Sequence, residues 1–344
     1  MQELRIGPNE AGQRMDKYLK KALPGAPMGL LFKQLRNKNI TLNRKKAQGN
    51  EILSLGDTIE CFFSQETFAQ FQGNPVQENK KSEYESAYLS LGSEKKIPVL
   101  YEDEHVLILN KPAGVLSQKA FSEDASLNEW MIGRLLENGS LKKHDLKTFT
   151  PSIVNRIDRN TTGIVLGGKS LPGLQALSRL LHDRKMEKYY LTICHGILKE
   201  SREVRAYLRK DEKTNQVQIF DTPRENAQEI RTRYRSLQTA QDHTLLEIEL
   251  ITGKPHQIRA HLSSLGHPIL GDTKYGDSRL TTEDKKLYHL SHQLLHAQRV
   301  CFPLWETVAD EYAAYETVLK PLSGKEILAP LPDQFQKIKD SLFE

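Results

Sequence analysis

Apolar residues recur at helical spacing in several stretches of the chain and alternate with polar ones in others. Between Gln13 and Pro24, Met15, Tyr18, Leu19 and Ala22 or Leu23 form one stripe. Arg14, Lys17, Lys20 and Lys21 lie around the other side, which predicts a basic amphipathic helix. A second helix is predicted from about Gly29 to Asn37, with Leu30, Leu31 and Leu35 inward and Lys33 and Arg36 outward. Ile40-Thr41-Leu42 alternates as a short strand, and Leu53 to Ile59 reads as a turn at Gly56-Asp57 followed by a strand. Residues 64–96 are rich in Gln, Glu, Ser, Asn and Lys and poor in branched aliphatics. They are expected to be a loosely packed or disordered linker, with Tyr84, Tyr88 and Leu89 as its anchors.

Beyond residue 96 the apolar density rises. Val106-Leu107-Ile108-Leu109 is a buried strand that runs into a turn at Pro112 and Gly114, on which Lys111 either sits near a phosphate or, as the favoured expectation, is solvated. Ser126 heads a helix carrying Leu127, Trp130, Met131 and Leu135, and Ser170-Leu171-Pro172 starts another that runs to about His182. Strands are predicted over Lys185–Gly196, over hairpins between Arg202 and Asp242, at Thr244–Leu250, which alternates most clearly, and around Leu295–Phe302. A helix begins after Thr252-Gly253-Lys254-Pro255, buries Ile258, Leu262 and Leu265, and stops at Gly266. A terminal helix carries Phe335, Ile338 and Leu342. The elements describe an α+β protein with a small domain over 1–63, a linker over 64–96 and a larger domain over 97–344.

With 344 residues, 38% apolar and 27% charged, the composition is that of a globular protein. No apolar run reaches the length of a membrane span, and the first residues lack a signal-peptide layout, so a cytoplasmic protein without a membrane partner is expected. Cys61, Cys194 and Cys301 are too scattered for a disulfide framework. The histidines show no metal-ligand spacing and the glycines no nucleotide loop, so neither a metal nor a cofactor is expected. Residues 1–60 hold eleven Lys or Arg against six Asp or Glu, an excess equal to the whole net charge of +5. A basic module on a neutral body suits a polyanion gripped at one end and processed at the other, although a solvated lysine face has the same composition.

The candidate chemistry centres on Asn155-Arg156-Ile157-Asp158-Arg159-Asn160-Thr161-Thr162-Gly163. Two arginines flank the carboxylate of Asp158, favouring its ionised form and a phosphate-bearing substrate. The same letters also describe a plain turn. His256 and Arg259 are three apart and share one side of a helix near its first turn, where a fixed cation can meet a carboxylate. Tyr190 is either a core residue of its strand or a ring for stacking on a base.

Residues Arg14 to Phe62 resemble the S4 RNA-binding domain in their order of basic helix, second helix, strand and Leu55-Gly56-Asp57 turn. That family usually has glycines near Lys38 and Arg44, and this chain has none there. If those positions need positive φ, each costs on the order of 1 kcal/mol, unless Asn37, Asn39 or Asn43 carries the turn. The resemblance implies that Arg14, Lys17, Lys33, Arg36, Arg44 and Lys45 contact RNA, mostly at phosphates.

The rest of the chain resembles the RluA family of pseudouridine synthases. The resemblance rests on Asn155–Gly163, Lys188-Tyr189-Tyr190, Thr252–Leu262, Gly266–Asp272 and Leu295-His296-Ala297, which occur in the family's order. It implies a mixed, mainly antiparallel sheet flanked by helices, acting as a monomer on RNA, most closely like the branch that modifies large-subunit ribosomal RNA. Asp158 then matches the catalytic aspartate, Tyr190 the tyrosine that packs against the target base, and Arg259 the arginine that pairs with the aspartate. Arg156 matches the arginine that enters the space left by the flipped nucleotide. Further substrate contacts are expected from Thr161, Thr162, Gly163, Thr252, His256 and Gln257. The family often begins the central motif with His where this chain has Asn155. Isomerising uridine needs no redox or metal cofactor, because no hydrolysis or electron transfer occurs. The rivals are a non-catalytic RNA-binding or ribosome-assembly protein, a synthase acting on transfer RNA, and a hydrolase using a second acid such as Glu247 or Glu249.

Overall fold

The computed structural model describes residues 1–73, 77–199, 201–211, 214 and 216–344. The first unit comprises β1 (Gln2–Arg5), α1 (Met15–Ala22), α2 (Met28–Arg36), β2 (Ile40–Leu42), β3 (Lys45–Lys46) and β4 (Thr58–Cys61), its antiparallel sheet ordered β1-β4-β2-β3. The apolar stripes of both helices meet the sheet in one cluster that buries Met15, Leu19, Leu31, Leu35, Ile40 and Ile59. Arg14, Lys17, Lys33, Arg36, Arg44 and Lys45 are all exposed.

Lys38 and Arg44 themselves adopt the left-handed conformation, at φ 61° and 62°, and Asn43 joins them at 50°. Buried Glu60 holds the second turn by accepting hydrogen bonds from the Arg44 amide (3.1 Å) and the Thr41 hydroxyl (2.6 Å). The Lys38→Gly variant should therefore gain on the order of 0.5 kcal/mol, the relieved strain exceeding the added unfolded-state entropy. Urea denaturation followed by circular dichroism reads this; a loss of stability would contradict the strain at Lys38.

Two helices, α3 (Gln65–Gln72) and α4 (Gln77–Leu91), come next. The larger unit then runs through β5 (Val99–Glu102), β6 (Val106–Lys111), α5 (Leu127–Glu137), β7 (Ser152–Ile153), β8 (Thr162–Gly168), α6 (Leu171–His182) and β9 (Glu187–His195). It continues through β10 (Arg202–Asp211), β11 (Gln216–Phe220), β12 (Gln228–Ala240), β13 (His243–Leu250), α7 (Gln257–Ser264), α8 (Ser278–Tyr288) and β14 (Leu295–Cys301). The short α9 (Ala309–Tyr312) and α10 (Glu316–Leu319), then β15 (Glu326–Leu328) and α11 (Asp333–Phe343), complete it.

The expected linker over 64–96 is thus largely helical; residues 74–76 of it lie outside the described residues. Tyr84, Tyr88 and Leu91 fall on one helical stripe and pack with α5, the Tyr88 and Trp130 ring centroids standing 5.8 Å apart. Gly133 permits the close approach, since a Cβ there would sit 2.3 Å from the Tyr84 carbonyl oxygen. Leu89, expected as an anchor, is exposed. Three well-spaced apolar residues suffice because a neighbouring helix covers them.

Among the described residues the large sheet has eleven strands, in the order β11-β10-β12-β13-β9-β14-β8-β6-β5, with β7 beside β8 and β15 beside β14. It is mixed and mainly antiparallel, β14 and β8 being parallel. Both faces of its centre are covered, so the uninterrupted apolar runs divide by alternation. Val165, Leu107 and Leu109 face the side of Trp130, Ile258 and Leu262, while Ile164, Leu166, Val106 and Ile108 face Leu177 and Leu180 of α6.

Candidate active site

Asp158 lies in the loop between β7 and β8, and that loop is fixed from several directions. Asn155 ties it to β8, its side chain accepting from the Leu166 amide (2.7 Å) and donating to the Ile164 carbonyl (3.3 Å). Ser117 bonds both backbone groups of Ile157, donating to the carbonyl at 2.8 Å and accepting from the amide at 3.1 Å. Gly163, at φ 107°, lets β14 pass so close that a Cβ would stand 2.2 Å from the Ala297 carbonyl oxygen.

Lys111 is not solvated as expected but fully buried. Its ammonium donates to the carbonyls of Pro112 (2.9 Å), Val115 (2.8 Å) and Arg159 (2.8 Å), joining the turn after β6 to the Asp158 loop. Burial pushes the Lys111 pKa down to about 7, against the opposing pull of the Asp158 charge. Three convergent carbonyls explain why a lysine stands there, since its three N–H groups satisfy all of them. Lys111→Met should cost about 3 kcal/mol by leaving those acceptors without a donor. Thermal unfolding measures this, and a variant as stable as the parent would refute the role.

Arg259, on α7, joins two carboxylates. Its Nη1 donates to Asp158 Oδ2 (2.8 Å), and its Nε and Nη2 form a two-pronged pair with Asp272 at 2.8 and 2.9 Å. Burial opposes its charge, but the two carboxylates overrule this and hold its pKa above the ordinary arginine value. Asp272 is fully buried and also accepts from the Lys274 and Tyr275 amides. The Tyr275 ring lies under the guanidinium, 5.3 Å from it, and its hydroxyl meets His256 Nδ1 at 2.7 Å. That hydroxyl also accepts from the Val217 amide, and the His256 pKa is lowered chiefly by burial. Asp272 and Tyr275 carried no assignment from sequence. The signal that pointed toward Asp272 was its place at the end of the Gly266–Asp272 motif.

These groups open onto a cleft of about 960 Å³. Tyr190, on β9, is 7% exposed and lines it together with Asp158, Arg259, Arg156, Thr161, His256 and Gln257. Burial raises the Tyr190 pKa well above the usual phenol value, so the hydroxyl stays protonated. Arg156 is exposed at the rim. Arg159 also lines the cleft, and its Nε donates to the Gly114 carbonyl at 3.0 Å.

Some residues expected to touch substrate have other partners. Thr162 is buried and bonded to His296 Nδ1 at 2.7 Å, and Gly163 serves the close passage of β14. Thr161 accepts from Gln293 at 3.2 Å. Buried Thr252 and Gln257 bond each other (3.0 Å) and the backbone of Arg231, fixing the start of α7 to β12. Their sequence positions beside the site reflect this bracing: each hydroxyl or amide satisfies a buried backbone group.

Among the lining residues Asp158 is the one carboxylate, against the seven cations Arg156, Arg159, Lys188, Lys210, Lys254, Arg259 and Lys274. Glu247 and Glu249 are not among them; they pair with Arg235, Arg299 and Arg233. Among the described residues no group of three or more His, Cys, Asp or Glu is arranged to hold a metal ion. The arrangement offers a polyanion a basic trough with one oriented acid and one aromatic ring at its floor.

The sequence profile of RNA pseudouridylate synthase matches residues 105–264. An uncharacterized RNA pseudouridine synthase of Mycoplasma genitalium is 30% identical over 300 residues, covering 86% of this chain and 87% of that protein. The ribosomal large subunit pseudouridine synthase C of Vibrio parahaemolyticus is 30% identical over 310 residues, 88% of each protein. That of Vibrio vulnificus is 28% identical over 350 residues, 99% of this chain and 96% of that one. Among solved structures, human RNA pseudouridylate synthase domain containing 4 shares the fold, with a TM-score of 0.54 at 19% identity over 77% of this chain and 97% of that chain. Similarity of this extent, over a cleft of this chemistry, makes the chain a member of the RNA pseudouridine synthase family of isomerases.

Proposed function

We propose that the chain isomerises specific uridines of large-subunit ribosomal RNA, with Asp158 as the reacting group. The observation that carries this is the single cleft carboxylate, bonded to Arg259 and surrounded by cations. The reaction breaks the bond from uracil N1 to C1′ and makes one from C5 to C1′; C5 gives up its proton and N1 gains one, so atoms and electrons balance without a co-reactant. Asp158 acts either on C1′ as nucleophile or on the C2′ proton as base. Arg259 aims the carboxylate through its hydrogen bond, and Arg156 fills the gap in the stack. The base leaves its helix at a cost of a few kcal/mol, part of which stacking on Tyr190 offsets.

The relatives named for the large ribosomal subunit support the choice of RNA. The test maps pseudouridines in ribosomal RNA from cells with and without the protein. Loss of a large-subunit site is expected; an unchanged map, or a loss confined to transfer RNA, would overturn the assignment.

Residues 1–63 act in this reading as an S4-like RNA grip on a catalytic domain spanning 97–344, their exposed basic residues meeting phosphates. Replacing Lys17, Lys33, Arg36 and Arg44 by Gln should flatten the plot of log affinity against log salt by about 0.7 to 0.9 for each phosphate left without its cation. An unaltered slope in filter binding would remove the grip from this unit. Among the described residues no helix is long and apolar enough to cross a membrane, and a ribosomal RNA substrate puts the work in the cytoplasm.

A further inference from the structure

Tyr275 stands where three parts of the larger unit meet, and each of its polar groups is engaged. Its amide donates to Asp272 Oδ1 at 3.1 Å, and its carbonyl accepts from the Ser263 hydroxyl of α7 at 2.6 Å. The ring packs against the cluster formed by Ala206 and Leu208 of β10, Val217 of β11, Ile230 of β12 and Ala260 of α7. Strand β11 is an edge of the sheet, and its Val217 amide donates to the Tyr275 hydroxyl at 3.1 Å.

The same side chain touches two residues at the start of α7. The nitrogens of the Arg259 guanidinium are taken by Asp158 and Asp272, so its flat face is what remains, and the Tyr275 ring lies there, 5.3 Å away. The Tyr275 and His256 ring centroids stand 5.6 Å apart, with the hydroxyl 2.7 Å from His256 Nδ1. His256 takes the left-handed conformation at φ 54°, which is uncommon outside glycine and persists where the surroundings over-determine it. The strain secures an orientation. Nδ1 is held by Tyr275, while the residue lines the cleft and its Nε2 has no hydrogen-bond partner among the described residues.

We propose that Tyr275 is a positioning residue for both neighbours: its hydroxyl, pinned by Val217, fixes the His256 ring so that Nε2 meets the uridine nucleotide, and its ring backs the guanidinium that aims Asp158. This rests on the reading that a uridine of RNA reacts beside Asp158. The two halves act on different steps. The hydroxyl works through a binding contact and so sets substrate affinity, whereas the ring works through the aim of the carboxylate and so sets the chemical step. A tyrosine that merely filled the space between β11 and α7 would give way to phenylalanine without kinetic consequence.

Tyr275→Phe removes the hydroxyl and keeps the ring; Tyr275→Leu removes both. In the full-length protein acting on large-subunit ribosomal RNA, Tyr275→Phe should raise KM about five- to tenfold with kcat within about twofold, and should weaken filter binding of polyuridylate by a similar factor. In a His256→Gly background, where glycine adopts the left-handed backbone freely, the same change should move KM by less than about twofold, because the hydroxyl has no ring left to hold. Tyr275→Leu should add a fall in kcat of about tenfold or more. If circular dichroism shows that variant unfolded, Tyr275→Met takes its place, being unbranched and able to fill the same gap. An unchanged KM in Tyr275→Phe, an equal rise with and without His256, or a full kcat in the aliphatic variant would each overturn the proposal. If the parent protein leaves ribosomal RNA unmodified, the substrate assignment falls instead, and the polyuridylate affinities of the Tyr275→Phe and His256→Gly variants still decide the part played by the hydroxyl.

Discussion

Asp158→Asn is expected to lower turnover by about 10⁴-fold or more while RNA affinity stays within a few-fold of the parent. The amide matches the carboxylate in size, and its oxygen can still accept from Arg259 Nη1. Arg259 does not depend on Asp158 for its position, since Asp272 holds its other two nitrogens. The loop around residue 158 is likewise fixed by Asn155, Ser117 and Lys111 rather than by the Asp158 side chain. The variant should therefore fold normally and lose the reacting charge alone. Binding should hold or tighten slightly, because removing the one acid among seven cations makes the cleft more attractive to phosphates. Chemical labelling of pseudouridine and filter binding measure the two quantities. Undiminished turnover would exclude Asp158 as the reacting group, and a collapse of affinity would mean that the carboxylate serves binding instead.

How much of this site could be read from the letters depended on whether a residue's partner was local. Ser170 before Leu171-Pro172 is a local device, and the structure has its hydroxyl accepting from the Gly173 amide. The alternating run at Thr244–Leu250 lies within β13, whose two faces bury Leu246 and Ile248 against one layer and Leu245 against another. The central motif could be found because Asp158, Tyr190 and Arg259 each sit in a separate distinctive stretch. Lys111 could not be placed, because its third acceptor is the carbonyl of Arg159, forty-eight positions on, and backbone carbonyls leave no trace in sequence. Thr162 looked like a substrate contact for the same reason, its partner His296 lying on β14. Helix α4 leaves little trace in the sequence because its surface is polar and its few apolar residues acquire meaning from Trp130 and Gly133 on α5. Tertiary partners, more than local propensity, decided each of these cases.

The largest effect on stability should come from Asp272→Ala, which leaves Arg259 buried with half of its counter-charge and is expected to cost about 3 to 5 kcal/mol. The loss should extend to catalysis, since among the described residues nothing else hydrogen-bonds the Nε and Nη2 edge of the guanidinium that aims Asp158. Asp272→Asn separates charge from shape, because it retains an oxygen for the Lys274 and Tyr275 amides. Its deficit should follow pH with a definite sign. Burial alone would raise the Asp272 pKa, but the Arg259 hydrogen bonds and charge, together with the two amides, bring it below the ordinary carboxylate value. A carboxyl depressed on folding stabilises fully above its unfolded pKa of about 3.9 and loses that contribution as pH falls through the lower folded value. The stabilities of the parent and Asp272→Asn should therefore differ by a constant amount from neutral pH down to about 5 and converge in more acid solution. Urea denaturation at a series of pH values tests this directly. A difference that persists unchanged into the acid range would show that Asp272 supports Arg259 by shape and not by charge.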